Sequence, residues 1–181
     1  ETAEKNIEAE KKSDAPAEIA QEKTSETGAQ TLYSPLEGTA IQLSEVKDAT
    51  FASEVLGRGM AVIPSKGEVK APCDATVSTI FDTKHAIGFQ TDTDLPMLLH
   101  IGIDTVKLEG KGFEILVEQG QHVKKGEPLM KIDIPYLTEN APSLCSPILC
   151  TEIEDNQRVR LLANGEIKAG EPLFAVETVE E

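Results

Sequence analysis

IFDTKHAIGFQTDTDLPMLLHIGIDTV, residues 80–106, holds two strand-like runs of alternating side chains separated by QTDTDLP. The Asp, Thr and Pro residues of that separator form a turn centred near Asp92 and Thr93, which folds the two runs into an antiparallel pair. Such a turn sets His85 opposite His100. Side chains directly opposite in a ladder have Cβ atoms about 4.5–5.5 Å apart, so both imidazoles reach one small group held between them. A register slip of one residue sends them to opposite faces. In PMLLHIGIDTV the alternation puts Met97, Leu99, Ile101 and Ile103 on the core face, and Leu98, His100, Gly102 and Asp104 on the other. His100 therefore emerges beside Gly102, whose missing side chain leaves room for a bulky group or another protein's backbone. On the preceding strand Thr83 shares a face with His85, where its hydroxyl reaches a ring nitrogen and fixes the tautomer.

The same grammar extends outward. From Thr31 onward, short runs rich in Val, Ile, Leu and Thr are cut by Gly, Pro, Asp and Asn every eight to twelve residues. That pattern predicts an all-β fold, an antiparallel sandwich or barrel, with little helix. Two stretches repeat: EQGQHVKKGEPLMKI (Glu118 to Ile132) and LANGEIKAGEPLFAV (Leu162 to Val176) share Gly-Glu-Pro-Leu, and each reads as strand, turn, strand. A second repeat starts at Ser34-Pro35, Ala71-Pro72 and Ser146-Pro147. Such internal similarity predicts a sandwich wrapped from duplicated β motifs.

Residues 1–30 differ in kind. They hold eight acidic and four basic residues, no aromatics, and Ile7 and Ile19 as their only large aliphatics. Such a composition cannot bury a core, so a flexible acidic linker to something upstream is expected there, with one domain over residues 31–181. The first residue is Glu, which fits a processed protein or a fragment of a longer one. With 181 residues, one core is the sensible count. Net charge is −15 and the pI is near 4.6, which argues against nucleic acid or an anionic membrane surface and favours either a basic protein partner or plain solubility. Cys73, Cys145 and Cys150 form no CxxC pair, as befits a reducing compartment, and read as structural or incidental. No run approaches the roughly 18 apolar residues of a membrane span.

A neutral imidazole, with an ordinary pKa near 6.5, is a nucleophile at pH 7. One ring nitrogen takes a phosphoryl group while a neighbouring imidazole hydrogen-bonds its oxygens, with no metal or other cofactor required. Zinc is the chief chemical rival, but it needs three or four protein ligands, and Cys73 or an acidic residue would have to complete the set. The chain has no GxxxxGK[ST], no dinucleotide fingerprint and no HExxH. His100 and Asp104 make a weak HxxxD; a β-type peptidase would want His-x-His, and a biotin or lipoyl carrier a lysine at a hairpin tip in a Met-Lys-Met-like setting. His122, inside the polar GQHVKKGEP turn, reads as exposed and incidental.

IFDTKHAIGF together with LLHIGIDTVKLEGKGF resembles the IIA domain of the glucose family of the bacterial phosphoenolpyruvate-dependent sugar phosphotransferase system. The resemblance runs from about Leu32 to Val176 and takes in YSPLEGTAIQLSEVKDATFASEVLGRGMAVIP and VEQGQHVKKGEPL. It implies that His100 is the phosphohistidine, loaded by the histidine-containing phosphocarrier protein and unloaded onto a cysteine of a IIB domain. It further implies that His85 steadies the phosphoryl oxygens, that Thr83 orients His85, and that Asp48 and Asp104 are acidic positions near the site. Ile101 stands where some members carry Phe. At roughly 5 Å and an effective dielectric near 20, each carboxylate repels one phosphoryl charge by about 3 kcal/mol. They therefore flank the phosphate rather than cradle it, and pair with basic residues of the donor. Phe51, Val55, Leu56, Phe81 and Leu98 are candidates for an apolar docking rim, with Phe51 and Phe81 expected to be partly exposed.

The reading is thus a cytoplasmic phosphoryl-transfer domain, tethered through its linker to IIB and membrane IIC regions that raise the local concentration of acceptor. The alternatives are a free-standing regulatory binding protein whose His100 phosphorylation selects its targets, and a zinc-dependent hydrolase. Sugar choice, regulatory targets and oligomeric state are not legible in these residues.

Overall fold

Apolar side chains recurring at every second position, with frequent Gly and Pro, favour pleated strands over helix. The computed structural model describes residues 29–179, so the linker expected over residues 1–30 lies outside the described residues except for its last two positions. The strands are β1 (Gln30–Tyr33), β2 (Gly38–Gln42), β3 (Arg58–Pro64), β4 (Glu68–Lys70), β5 (Ala75–Ile80), β6 (Ala86–Thr91) and β7 (Pro96–His100) in the first part of the chain. They are followed by β8 (Phe113–Ile115), β9 (His122–Val123), β10 (Pro128–Ile132), β11 (Ser146–Cys150), β12 (Gln157–Leu161), β13 (Gly165–Ile167) and β14 (Pro172–Thr178). Among the described residues, helix is confined to Ala49–Ala52, Ile134–Asn140 and the 3-10 turns Leu43–Glu45 and Thr105–Leu108.

An eight-stranded sheet in the order β13-β2-β3-β11-β7-β6-β5-β9 is completed by two three-stranded sheets, β1-β14-β12 and β4-β10-β8, with antiparallel pairing throughout. The repeats in the sequence fold as copies. Ser34 N–H donates to Glu171 O (2.8 Å) and Gly170 N–H to Ser34 O (2.9 Å); Ala71 N–H donates to Glu127 O (2.8 Å) and Gly126 N–H to Ala71 O (2.9 Å). The two copies then bond each other, Tyr33 N–H to Pro72 O and Lys70 N–H to Pro35 O, each at 2.9 Å. Gly126 and Gly170 take φ of 88° and 91°, a left-handed conformation that explains a glycine at the head of each Gly-Glu-Pro-Leu. Leu129 and Leu173 that close the motif are completely buried. Ser146-Pro147, expected as a third start of this kind, instead opens β11 inside the large sheet and is no copy of the other two.

Period two also divides the core. On β3, Met60 and Val62 join a large cluster between the sheets with Leu99, Ile148 and Phe174, whereas Ala61 joins a smaller one with Leu43, Phe51, Ile103 and Leu149. Each fully buried aliphatic or aromatic side chain contributes about 1.5–3 kcal/mol. The smaller cluster lies on the other face of the large sheet, where the connection from Leu43 to Gly57 covers it, and His100 stands on that same face. Cys73, Cys145 and Cys150 are free and buried, and burial pushes their thiols up to about 12, 11 and 12, so none is a nucleophile at neutral pH.

Candidate functional site

The hairpin that carries both histidines forms, but its register differs by one residue from the sequence expectation. Ala86, not His85, stands opposite His100, and Ile101 N–H donates to His85 O at 2.7 Å. The cause is the turn. Thr91 N–H bonds Leu95 O across a loop of Asp92, Thr93 and Asp94, with Asp94 left-handed at φ 64°. A three-residue hairpin of this sort shifts the pairing by one relative to a turn centred between Asp92 and Thr93.

The rings meet nonetheless. Their centroids are 4.8 Å apart and their planes cross at 80°. Strand alternation stops before β6: Lys84 is left-handed at φ 60° and its N–H closes a turn onto Phe81 O at 2.8 Å. His85 leaves that turn instead of continuing a strand, so its side chain is free of the alternation that would have sent it to the wrong face. Thr83, also in the turn rather than in a strand, places Oγ1 2.6 Å from His85 Nδ1. The expected Thr83–His85 contact is present, made by a different backbone.

The two imidazoles have different surroundings. His85 is 4% exposed, whereas His100 is partly exposed at the end of β7. His100 Nδ1 lies 2.7 Å from Gly102 O. A carbonyl only accepts, so Nδ1 carries the hydrogen and Nε2 keeps its lone pair. Burial, and then the neighbouring His100, lower His85 to about 4. Burial also lowers His100, opposed in turn by the Gly102 bond and by the negative charges of Asp48 and Asp104. Both rings are neutral at pH 7, the state a nitrogen nucleophile requires.

Apolar groups frame the pair. The Phe51 ring packs 5.0 Å from His100 and the Phe81 ring 5.4 Å from His85. Phe81 and Leu56 are exposed, and Val55 is 77% exposed, while Leu98 is half-buried against the smaller core cluster. Phe51 departs from the expected exposed rim: at 6% exposure it belongs to that cluster, and its ring forms a wall of the site. Asp48 explains its placement. The Asp48 carboxylate caps the helix Ala49–Ala52 by accepting from Thr50 N–H (2.9 Å) and Phe51 N–H (3.4 Å). Asp104, left-handed at φ 56°, begins the turn Thr105–Leu108.

Gly102 requires a second correction. Its φ is 73°, and a Cβ there would meet Thr105 Cγ2 at 2.6 Å and Ser143 O at 3.0 Å. The space is filled by the chain itself, so the glycine serves a tight loop rather than a docking partner. Sequence reasoning also missed Thr105 and Ser146, both completely buried, which bond the peptide preceding Gly102. A hydroxyl 44 positions from its partner leaves no local signal. His122 is exposed, as expected, and its Nε2 reaches Asp92 Oδ1 at 2.9 Å. No group of three or more His, Cys, Asp or Glu side chains is placed to hold a metal ion among the described residues.

Residues 30–156 match the family model described as phosphoenolpyruvate-dependent sugar phosphotransferase system, EIIA 1. The chain belongs to this EIIA family. A glucose-specific EIICBA component of the phosphotransferase system from Staphylococcus saprophyticus is 52% identical over 126 residues, 70% of this chain and 19% of the relative. The corresponding component of Staphylococcus carnosus is 41% identical over 149 residues, 82% of this chain and 22% of the relative. The EIIA chain thus spans about a fifth of the length of these relatives. The solved structure of glucose permease IIA from Mycoplasma capricolum superposes with a TM-score of 0.77 at 37% identity, over 81% of this chain and 95% of that one. The expected β-sandwich and glucose-family IIA resemblance therefore both hold, and the chain is a phosphoryl carrier of the phosphotransferase system. No helix among the described residues is long and apolar enough to cross a membrane.

Proposed function

We propose that this EIIA chain accepts a phosphoryl group on His100 Nε2 from the histidine-containing phosphocarrier protein and passes it to a cysteine of a IIB domain during glucose uptake. One observation carries the reading: the Gly102 carbonyl binds His100 Nδ1–H, which leaves an unprotonated, partly exposed Nε2 beside a buried second imidazole. The Nε2 lone pair attacks phosphorus, and the donor's P–N bond breaks with its electron pair returning to the donor nitrogen. In the second step the IIB thiolate attacks and the electron pair of the new P–N bond returns to Nε2. His100 needs no proton in either direction.

His85 assists through its own tautomer. Thr83 O–H donates to His85 Nδ1, which leaves Nε2–H to donate to a phosphoryl oxygen. A hydrogen bond to a charged group contributes about 1.5–3 kcal/mol. Asp48 and Asp104 flank the phosphate and attract the basic surface of the donor, with Val55, Leu56, Phe81 and Leu98 as apolar contacts around them. Fusion to IIB and membrane IIC regions, as the EIICBA names of the relatives record for those proteins, would hold this domain at the cytoplasmic membrane surface.

Incubation with phosphoenolpyruvate and the general phosphotransferase proteins tests the reading. The expected result is an acid-labile mass gain of one phosphate, absent in His100→Ala; retention of the gain in that variant refutes the assignment. His85→Ala is expected to accept phosphate yet deliver it poorly, so normal delivery to IIB removes the role given to His85. Delivery to glucose by membranes bearing a glucose-specific IICB, and not by membranes bearing components for other sugars, checks the sugar.

A further inference from the structure

We propose that Ser146 is a positioning residue for the phosphoryl-accepting imidazole: its buried hydroxyl anchors Gly102 N–H, and so the backbone of the residue whose carbonyl holds His100 in the Nδ1–H tautomer. The inference rests on the reading of His100 Nε2 as the acceptor. A neutral imidazole has two tautomers, and only the one with its hydrogen on Nδ1 leaves Nε2 able to attack. The choice falls to the Gly102 carbonyl at 2.7 Å, so whatever fixes that carbonyl fixes the reactive form.

The loop from Ile101 to Ile103 is held at every peptide. Ile101 N–H bonds His85 O at 2.7 Å, and Ile103 N–H bonds Ser143 O at 3.0 Å. The peptide between Ile101 and Gly102 is held by two side-chain hydroxyls. Thr105 donates to the Ile101 carbonyl, and Ser146 Oγ accepts from Gly102 N–H at 3.1 Å. Ser146 in turn donates to Leu144 O at 2.8 Å, so its hydrogen points away and a lone pair faces Gly102. Thr105 travels with the loop that it holds. Ser146 does not, because it opens β11, the neighbour of β7 in the large sheet, and so references the loop to the rigid scaffold.

Burial of hydroxyls is costly unless they are bonded. Of six buried polar residues among the described residues, Thr105 and Ser146 both serve this one peptide, and a third is His85 itself. Without the Ser146 hydroxyl, Gly102 N–H is left buried and unpaired, and the left-handed glycine at φ 73° loses its anchor to β11 on the N-terminal side, so that only the Ile103 N–H bond to Ser143 O still restrains the carbonyl facing His100.

Imidazole 15N spectra of the unphosphorylated protein, with rates of phosphoryl acceptance, test this in Ser146→Ala, Ser146→Cys and Ser146→Thr. Wild type is expected to show His100 almost wholly as the Nδ1–H form. Ser146→Ala is expected to give a tautomer mixture and acceptance slowed about tenfold, the cost of one unpaired buried donor, with His85 signals in place. Ser146→Cys fills the same space but accepts weakly and should act in the same direction, while Ser146→Thr keeps the hydroxyl and should restore both readouts. An unchanged His100 tautomer in either of the first two variants, folded by the criterion of the His85 signals, overturns the proposal. The tautomer measurement uses no phosphoryl donor. Phosphate found on another residue would sink the acceptor assignment and leave the positioning result to stand or fall separately.

Discussion

The pair β6–β7 and the pair β3–β11 occupy equivalent places in the eight-stranded sheet, on either side of the β11–β7 junction. Their registers match: Gly38 faces Pro64 as Ala75 faces Thr91, and Val62 faces Ser146 as Phe89 faces Met97. Followed along the strands, this equivalence puts Arg58 in the place of His85 and Leu149 in the place of His100. The same backbone frame thus carries two imidazoles on one side, and a cation and a buried aliphatic on the other. The connections make the difference. Leu43 to Gly57, between β2 and β3, is long enough to lay Leu43, Val46 and Phe51 over Leu149, whereas only a short turn separates β5 from β6. The long connection ends its cover at His100, with the Phe51 ring against it. Duplication supplies the strand positions, and unequal connections decide which becomes core and which becomes reachable.

Exchanging losses between the two places gives the largest contrast. His100→Ala is expected to abolish phosphoryl acceptance with little change in stability, as measured by phosphate incorporation and urea unfolding. Leu149→Ala should do the opposite, costing about 2–5 kcal/mol of stability because the side chain is completely buried, while the folded fraction keeps accepting phosphate.

Titration separates the pair as well. His85 is lowered to about 4 in the fold, against about 6.5 in the unfolded chain. Between those values the unfolded chain binds a proton that the folded one refuses. Stability should therefore fall as pH drops from 6.5 and level off near 4, by up to about 3 kcal/mol in unfolding experiments across that window. His85→Ala should remove most of this slope, and the equivalent change Arg58→Ala should leave it intact.

Gly102→Ala is expected to cost about 1–3 kcal/mol from its left-handed backbone and to impair phosphate acceptance, since the new methyl displaces Thr105. The smallest effect is at Arg58. Its pair with Glu54, at 3.5 Å with both side chains exposed, should contribute no more than about 0.5 kcal/mol, so Arg58→Ala should barely move the melting midpoint.

How far these contrasts were legible depends on the range of the interaction. The strands, the two Gly-Glu-Pro-Leu turns and the core face of Met97, Leu99 and Ile101 follow from neighbours a few residues apart and are present, whereas Ile103, expected on that face, packs in the smaller cluster on the other side because β7 ends at His100 and Gly102 turns left-handed. Thr83 and His85 were paired correctly for the same reason, although by a turn. The hairpin register is not legible in the same way, because a three-residue loop with a left-handed Asp94 reads like an even turn. The burial of Phe51 is not legible either, because nothing near it in the chain announces Leu149, nearly a hundred residues on.

Period-two alternation, duplicated glycine turns and two imidazoles were enough for the sequence alone to determine an antiparallel β sandwich with a histidine pair at its working end. These are local properties, set by sterics and by the chemistry of single side chains. Tertiary structure decided that a shifted register and an interrupted strand together bring the rings to 4.8 Å. It also decided that His85 is buried and His100 partly exposed, and that a serine 44 positions from Gly102 holds the loop behind the acceptor. Hydrogen bonds and packing between distant segments depend on how every intervening turn closes, and no short window of sequence contains that geometry.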